Sequence, residues 1–149
     1  MITLDTKLHT ALNTQVANWS LLYTKLHRFH WYVKGPQFFT LHEKFEELYN
    51  EAASVVDELA ERLLTIGGEP VATMKQYLET ATLTEINNEK TANEMVASLI
   101  ADYKQLKAEL KELADLAEAE QAHATNDYAI GLIESLDKHI WMFTAYLGE

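Results

Sequence analysis

Residues 26–45, LHRFHWYVKGPQFFTLHEKF, hold the break between two helical patterns and three of the chain's six histidines. Before Gly35-Pro36, large side chains recur at alternating spacings of four and three residues, which predicts one face of a long helix. The positions of this first stripe are Leu8, Leu12, Gln15, Trp19, Leu22, Leu26, Phe29 and Val33. The Gly-Pro pair ends it, and such a short break predicts that the next helix returns antiparallel beside the first.

Three further stripes follow in the rest of the chain. The second stops at Gly67-Gly68, a signal for a helix C-terminus. No stretch shows the alternation of a strand, and each apolar face must be buried by the others, so the sequence predicts an all-α helix bundle. The stripes are Leu41, Phe45, Leu48, Ala52, Val55, Leu59, Leu63 and Ile66; Leu99, Tyr103, Leu106, Leu110, Leu113 and Ala117; Ala129, Leu132, Leu136, Ile140, Phe143 and Leu147.

The connections specify the kind of bundle. From Gly67 to Lys90 there are 24 residues, too many for a tight turn, and residues 74–79 predict a short helix among them. A second short break is expected at residues 122–126. The prediction is a ferritin-like four-helix bundle with a short helix in the long crossover between helices 2 and 3, forming one domain over residues 1–149.

Composition narrows the class of function. The net charge of −11, from 23 acidic and 12 basic residues, opposes binding to phosphate backbones and favours attraction of cations. The absence of cysteine excludes disulfides and thiolate metal sites. The N-terminal residues carry no leader pattern and no apolar run reaches the roughly 20 residues that span a bilayer, so we expect a cytoplasmic protein without a membrane partner.

Histidines and carboxylates lie beside the apolar stripes rather than in them. His27 and His30 each follow a residue of the first stripe by one position, and polar side chains of the second helix are rotated away from its core line in the same manner. Imidazole and carboxylate together suit iron and zinc. The candidates on the second helix are His42, Glu46, Asp57 and Glu61.

Spacing decides whether these candidates can share one metal. Asp57 and Glu61 are four residues apart, which places both carboxylates on one helical face. His42 and Asp57 are 15 residues apart, about 22 Å along one helix, whereas metal ligands lie at roughly 2 Å. A shared site therefore requires two chains whose second helices run antiparallel about a twofold axis.

Simpler interpretations remain open on spacing alone. Each polar side chain taken singly is consistent with an ordinary solvated face, and His27 with a packed ring rather than a ligand. Glu120-x-x-His123 has the spacing of a carboxylate-histidine motif of di-iron bundles, but it lies at a predicted helix break. A further alternative is a purely structural bundle that has lost its metal site.

Four segments of the chain resemble the Dps family, the DNA-binding proteins from starved cells, also called miniferritins. They are LHRFHWYVKGPQFFTLHEKFEELY, DELAERLLTIGGEP, TND and DKHIWMF, and the likeness extends over essentially the whole chain. The chain is most similar to Gram-positive members that act as small ferritins. The resemblance implies a hollow homo-dodecamer with ferroxidase centres between subunits at the twofold axes.

The resemblance also implies roles for individual residues. The family's histidine ligands correspond to His30 and His42 of one subunit, and its carboxylate ligands to Asp57 and Glu61 of the other. Glu46 stands where an acidic residue, often the shorter Asp, lies near the second iron position. Two iron ions per centre are thus implied.

Two further expectations follow from the same likeness. Trp31 lies next to the centre and would act as an electron donor. The uptake pores at the threefold axes are acidic, and TND places Asp127 there, with Glu118 and Glu120 as further candidates. Ala122 and His123 depart from a fully acidic pore.

The implied activity is oxidation of Fe²⁺, preferentially by hydrogen peroxide, with storage of Fe³⁺ mineral inside the shell and protection of DNA from oxidative damage. The alternative is a nucleoid-associated protein that coats DNA. Family members that bind DNA directly generally use a lysine-rich tail. Among the residues before the first stripe, Lys7 is the only basic one, and after the last stripe the sequence has only Gly148-Glu149. We therefore expect little direct binding of DNA.

Overall fold

Five helices form the regular structure of the described residues, which are 5–86 and 88–149 of a computed structural model. Residues 1–4 and Asn87, which the predicted domain 1–149 includes, lie outside this part. In the described ranges, no helix combines the length and the apolar character needed to cross a membrane. The helices are α1 (Lys7–Tyr32), α2 (Phe38–Thr65), α3 (Met74–Thr80), α4 (Ala92–Ala119) and α5 (His123–Tyr146).

Helix directions follow from the contacts between the long helices. The five residues between α1 and α2 turn the chain back on itself, so these helices are antiparallel neighbours. Gln15, early in α1, bonds to Glu109, whereas Lys25, late in α1, pairs with Asp102, which makes α4 antiparallel to α1 as well. Helices α2 and α4 therefore run in the same direction, and the long connection through α3 crosses the length of the bundle. The predicted ferritin-like fold is confirmed.

Side-chain caps explain where several helices begin. The hydroxyls of Thr6, Thr73 and Thr91 each accept a hydrogen bond from the backbone N–H three residues later, which satisfies a donor that the first helical turn leaves free. Between α1 and α2, Gly35 has a φ of +107°, a conformation that residues with a Cβ rarely adopt. The local sequence thus sets the turn that brings residues 26–45 into a hairpin of helices.

The four predicted stripes form most of the core. Every stripe position is buried except Ile66, Ile140 and Leu147, which are half-buried near the ends of their stripes. The stripe of α4 begins one turn earlier than predicted, with Met95 and Val96. The turn between α4 and α5 occupies residues 120–122 rather than 122–126, because Gln121 takes a positive φ of 59° and ends α4 there.

A buried asparagine attaches the crossover to the bundle. Asn18 of α1 is fully buried, and its Oδ1 accepts hydrogen bonds from the backbone N–H groups of Thr82 (2.8 Å) and Leu83 (3.1 Å). Its Nδ2 donates to Thr82 Oγ1 (2.9 Å) and to Glu109 Oε1 (3.0 Å). One side chain therefore holds the crossover segment, α1 and α4 together.

Asn18→Ala is expected to lower the free energy of unfolding by about 2–4 kcal/mol, because two backbone donors and a carboxylate lose a buried partner. Denaturant unfolding at fixed protein concentration measures the change. Asn93→Ala, an exposed asparagine of α4, is the matched control. Equal stability of the two variants would contradict the anchoring role.

Candidate metal centre

The turn between α1 and α2 brings two predicted ligands together. The imidazole rings of His30 and His42 stack with centroids 3.7 Å apart and planes at 13°. Nδ1 of His30 lies 2.6 Å from the backbone carbonyl oxygen of His42, and Nδ1 of His42 lies 2.8 Å from the carbonyl oxygen of His30. The two residues thus hold each other's rings by a reciprocal pair of hydrogen bonds.

These bonds determine which ring nitrogens are free. A carbonyl oxygen only accepts, so both Nδ1 atoms must carry the proton, and the lone pair of each neutral ring is at Nε2. A histidine that binds a metal typically donates its other N–H to a carbonyl or carboxylate, which orients the ring. His30 and His42 have this arrangement.

His30 is more buried than its position beside the apolar stripe suggests. His30 is only 8% exposed, because its ring packs against His42 at the contact between α1 and α2. The ring does not lie in the bundle core. His42 is half-buried and stacks on Phe38 on its other side, with centroids 4.9 Å apart. Packing on both sides of His42 restricts the rotation of the pair.

Tyr49, a residue not among the predicted ligands, occupies the centre of an aromatic cluster beside the histidines. Its ring stacks on His27 at 3.8 Å and meets the edges of His30 at 5.3 Å and Tyr23 at 5.9 Å. His27 is therefore a packed ring. The available signal was the spacing, since Tyr49 follows His42 by seven residues and lies on the same side of α2.

The hydroxyl of Tyr49 connects this cluster to Glu46. It donates a hydrogen bond to Glu46 Oε1 at 3.2 Å, while the Glu46 side chain is otherwise exposed. Desolvation, followed by the bond to Glu46, raises the pKa of Tyr49 above its usual value. The phenol therefore keeps its proton at neutral pH and remains a donor.

Trp31 lies at the outer edge of the same cluster. Its ring centroid is 5.1 Å from that of His27, and the residue is 67% exposed. The neighbouring Tyr32 is 56% exposed. Large aromatic side chains that are this exposed to solvent beside a candidate site are typical of a surface that another chain covers.

The two predicted carboxylate ligands lie elsewhere on α2. Asp57 and Glu61 are exposed and one turn apart, but about 22 Å along the helix separates Asp57 from His42. Within the described part of one chain, no three histidine or acidic side chains are close enough to hold a metal ion together. The fold thus joins the histidines into one pair and leaves the carboxylates as another.

The histidine pair borders a face of α2 that lies outside the bundle core. Helix α2 carries a second row of side chains, each one residue after a core position: His42, Glu46, Tyr49, Ala53, Val56, Ala60 and Leu64. The middle of this row borders an apolar groove with α1 and α3, lined by Ser20, Tyr23, Thr24, Ala53, Val56, Met74 and Tyr77. We call this row and groove the α2 outer face. It is apolar in the middle, with the histidine pair near one end; Asp57 and Glu61 lie beside it near the other end, each one residue after a member of the row, Val56 or Ala60.

The predicted pore residues are at the opposite end of the bundle from the histidines. Glu118 is in the last turn of α4 and Asp127 in the second turn of α5, and both are exposed near the short turn that joins these helices. Glu120 caps the end of α4 and His123 begins α5, so the two do not share a helix and do not form a helical carboxylate-histidine motif.

Comparison with known proteins gives a consistent assignment. Residues 9–149 match the family of ferritin-like domains. DNA protection during starvation protein 2 of Bacillus anthracis is 54% identical over 138 residues, covering 93% of this chain and 94% of that protein. The Dps structure of Staphylococcus aureus is 48% identical with a TM-score of 0.91, covering 94% of each chain.

A Dps structure of Listeria innocua soaked with zinc gives the same result. It is 43% identical with a TM-score of 0.93, and the alignment covers 96% of this chain and 97% of that one. In each comparison the likeness extends over nearly the full length of both chains. This chain therefore belongs to the Dps proteins of the ferritin-like family.

Proposed function

We propose that this protein is an iron-storage ferroxidase that oxidises Fe²⁺, preferentially with hydrogen peroxide, at centres shared between two subunits. The observation that carries the proposal is the locked pair of His30 and His42, whose Nε2 lone pairs are left for a metal ion. Two imidazoles alone do not stabilise Fe³⁺, which prefers oxygen ligands. Carboxylates must complete the centre, and Asp57 and Glu61 supply them from the partner subunit.

The α2 outer face supports this two-chain arrangement. The midpoint between His42 and Asp57 falls at Tyr49 and Asn50. A twofold axis that crosses α2 there places His42 of each subunit opposite Asp57 of the partner subunit, and generates two equivalent centres. Ala53 and Val56 near this point are small and apolar, which suits close approach of two antiparallel helices.

The residues of such a centre have distinct tasks. His30 and His42 bind Fe²⁺ through Nε2, and Asp57 and Glu61 neutralise and hold the ion that is oxidised. Glu46 lies one turn beyond His42 and provides an oxygen ligand for a second ion. Two Fe²⁺ ions supply the two electrons that turn hydrogen peroxide and two protons into water, so no hydroxyl radical is released. Trp31 supplies an electron when only one iron is present.

Storage requires a closed assembly with a route for iron. We propose a hollow homo-dodecamer of the single ferritin-like domain 1–149, in which the oxidised iron is stored as a mineral. Asp127 and Glu118 line the uptake pore at the threefold axes, where carboxylates in a narrow passage concentrate cations. His123 lowers the density of negative charge there compared with a fully acidic pore.

Protection of DNA follows from this chemistry rather than from coating. The relatives are named for DNA protection during starvation, and removal of both Fe²⁺ and peroxide prevents the reaction that damages DNA. The net charge of −11 opposes direct contact with phosphates. We place this activity in the cytoplasm, including the neighbourhood of the nucleoid.

The proposal predicts that Asp57→Ala/Glu61→Ala slows oxidation of Fe²⁺ by peroxide at least about 100-fold, because the oxygen ligands of the product ion are removed. Stopped-flow absorbance of the ferric product measures the initial rate, and light scattering verifies the mass of the assembly.

Glu43→Ala/Glu47→Ala is the matched control, since these exposed glutamates have the same spacing on α2 but face the groove toward α5. Its initial rate should equal that of the parent. Equal rates for both variants and the parent, with intact assemblies, would make Asp57 and Glu61 ordinary surface charges and end the ferroxidase proposal.

A further inference from the structure

Glu46 is held in place by a neighbour rather than by its own packing. The side chain is exposed, and an exposed glutamate normally exchanges among several rotamers. Here one oxygen, Oε1, accepts the hydrogen bond from the Tyr49 hydroxyl at 3.2 Å, three residues further along α2. This contact selects one orientation of the carboxylate and leaves Oε2 without that bond.

Tyr49 itself has little freedom to move. Its ring is stacked on His27 at 3.8 Å and is nearly perpendicular to the rings of His30 and Tyr23, so side chains of α1 pack against it on several sides. The position of the hydroxyl is therefore determined by packing between α1 and α2. The same ring contacts His30, so Tyr49 connects Glu46 to the histidine pair through one hydrogen bond and one ring contact.

We propose that Tyr49 is a positioning residue, which uses its hydroxyl to hold the Glu46 carboxylate toward the second metal position of the centre. The inference rests on the proposed function. A ligand that is already oriented loses less conformational freedom when the ion binds, and partners of metal ligands commonly change metal affinity 10–100-fold when removed. The longer side chain of Glu46 makes the contact possible, because it can reach a hydroxyl three residues away on the same helix.

The test uses Co²⁺, which is not oxidised under the assay conditions and whose visible absorption reports its ligands. The intact assembly is titrated for the parent, Glu46→Gln, Tyr49→Phe and the double variant. Glu46→Gln identifies the Co²⁺ ion that depends on Glu46. We expect Tyr49→Phe to weaken the binding of that same ion about tenfold and to have no further effect in the Glu46→Gln background.

Tyr23→Phe is the matched control, because Tyr23 belongs to the same ring cluster but does not bond Glu46. It should titrate like the parent. Parent-like binding by Tyr49→Phe, a Tyr49→Phe effect that adds fully to that of Glu46→Gln, or no change in Glu46→Gln would each overturn the inference.

His30→Ala separates this inference from the proposed function. If His30→Ala binds Co²⁺ as the parent does, the metal centre itself is wrong. If His30→Ala loses Co²⁺ while Tyr49→Phe does not, the centre stands and only the positioning role of Tyr49 is wrong. Thermal unfolding of the metal-free variants verifies that Tyr49→Phe has not changed the fold.

Discussion

Mixed assemblies of two inactive variants are expected to regain ferroxidase activity. In the proposed centre, His30→Ala/His42→Ala removes the imidazole half and Asp57→Ala/Glu61→Ala removes the carboxylate half, so each variant alone should be inactive. When the two are co-assembled in equal amounts, half of the twofold contacts join unlike subunits, and each such contact contains one centre with both halves intact. About a quarter of the centres should then be complete.

Stopped-flow oxidation of Fe²⁺ by peroxide measures the recovered rate against that of the parent. The control is the same two variants mixed after separate assembly, which cannot exchange subunits during the assay and should stay inactive. Recovery after co-assembly and not after simple mixing would place the two halves on different chains. No recovery in co-assembled particles of normal mass would mean that each centre is built within one subunit.

The second large effect concerns the ion pair inside the bundle. Lys25 Nζ lies 2.8 Å from Asp102 Oδ2, with side chains only 1% and 12% exposed. Lys25→Met keeps the apolar part of the side chain but leaves the buried carboxylate of Asp102 without its cationic partner. We expect the free energy of unfolding to fall by about 3–5 kcal/mol at neutral pH. Denaturant unfolding at fixed protein concentration measures it.

Replacement of both partners provides the control. Lys25→Met/Asp102→Leu leaves no buried charge, so it should recover most of the lost stability. A loss below about 1 kcal/mol in the single variant, or a double variant less stable than the single one, would contradict the assigned role of the pair.

The cost of Lys25→Met should also depend on pH. Burial raises the pKa of Asp102 in the folded protein; Lys25 opposes this shift, and Glu89 adds to it. A carboxyl with a raised folded pKa binds its proton more tightly in the folded state, so the penalty for its charge is absent below the unfolded pKa and grows as the pH rises. Without Lys25 the shift is larger, so the variant should be closest to the parent at or below the ordinary pKa of aspartate, about 4, and fall further behind as the pH rises.

Much of the architecture is predictable from the spacing of apolar residues. The stripes identified the core positions, because a helix repeats every 3.6 residues wherever it is placed. The lengths of the connections indicated the directions of the helices. The ends of α4 and the start of α5 were less accurate. The positive φ of Gln121 sets that boundary, and a glutamine gives no strong turn signal in a sequence.

The sequence by itself determined which chemical groups are available and which of them cannot meet within one chain. The separation of His42 from Asp57 along a single helix excludes a common metal site in one subunit, because helix length is fixed by the rise per residue. Residue types alone also identified imidazole and carboxylate as the candidate ligands.

Only the tertiary structure decided how these groups are oriented. The stacking of His30 on His42, the reciprocal bonds that free both Nε2 atoms, and the contact between Tyr49 and Glu46 all depend on how closely α1 and α2 pack. Periodicity gives the face on which a side chain lies but not its distance from a residue on another helix. Hydrogen bonds and ring contacts act over a few ångströms, so they are settled by packing between helices and not by the sequence pattern of either one.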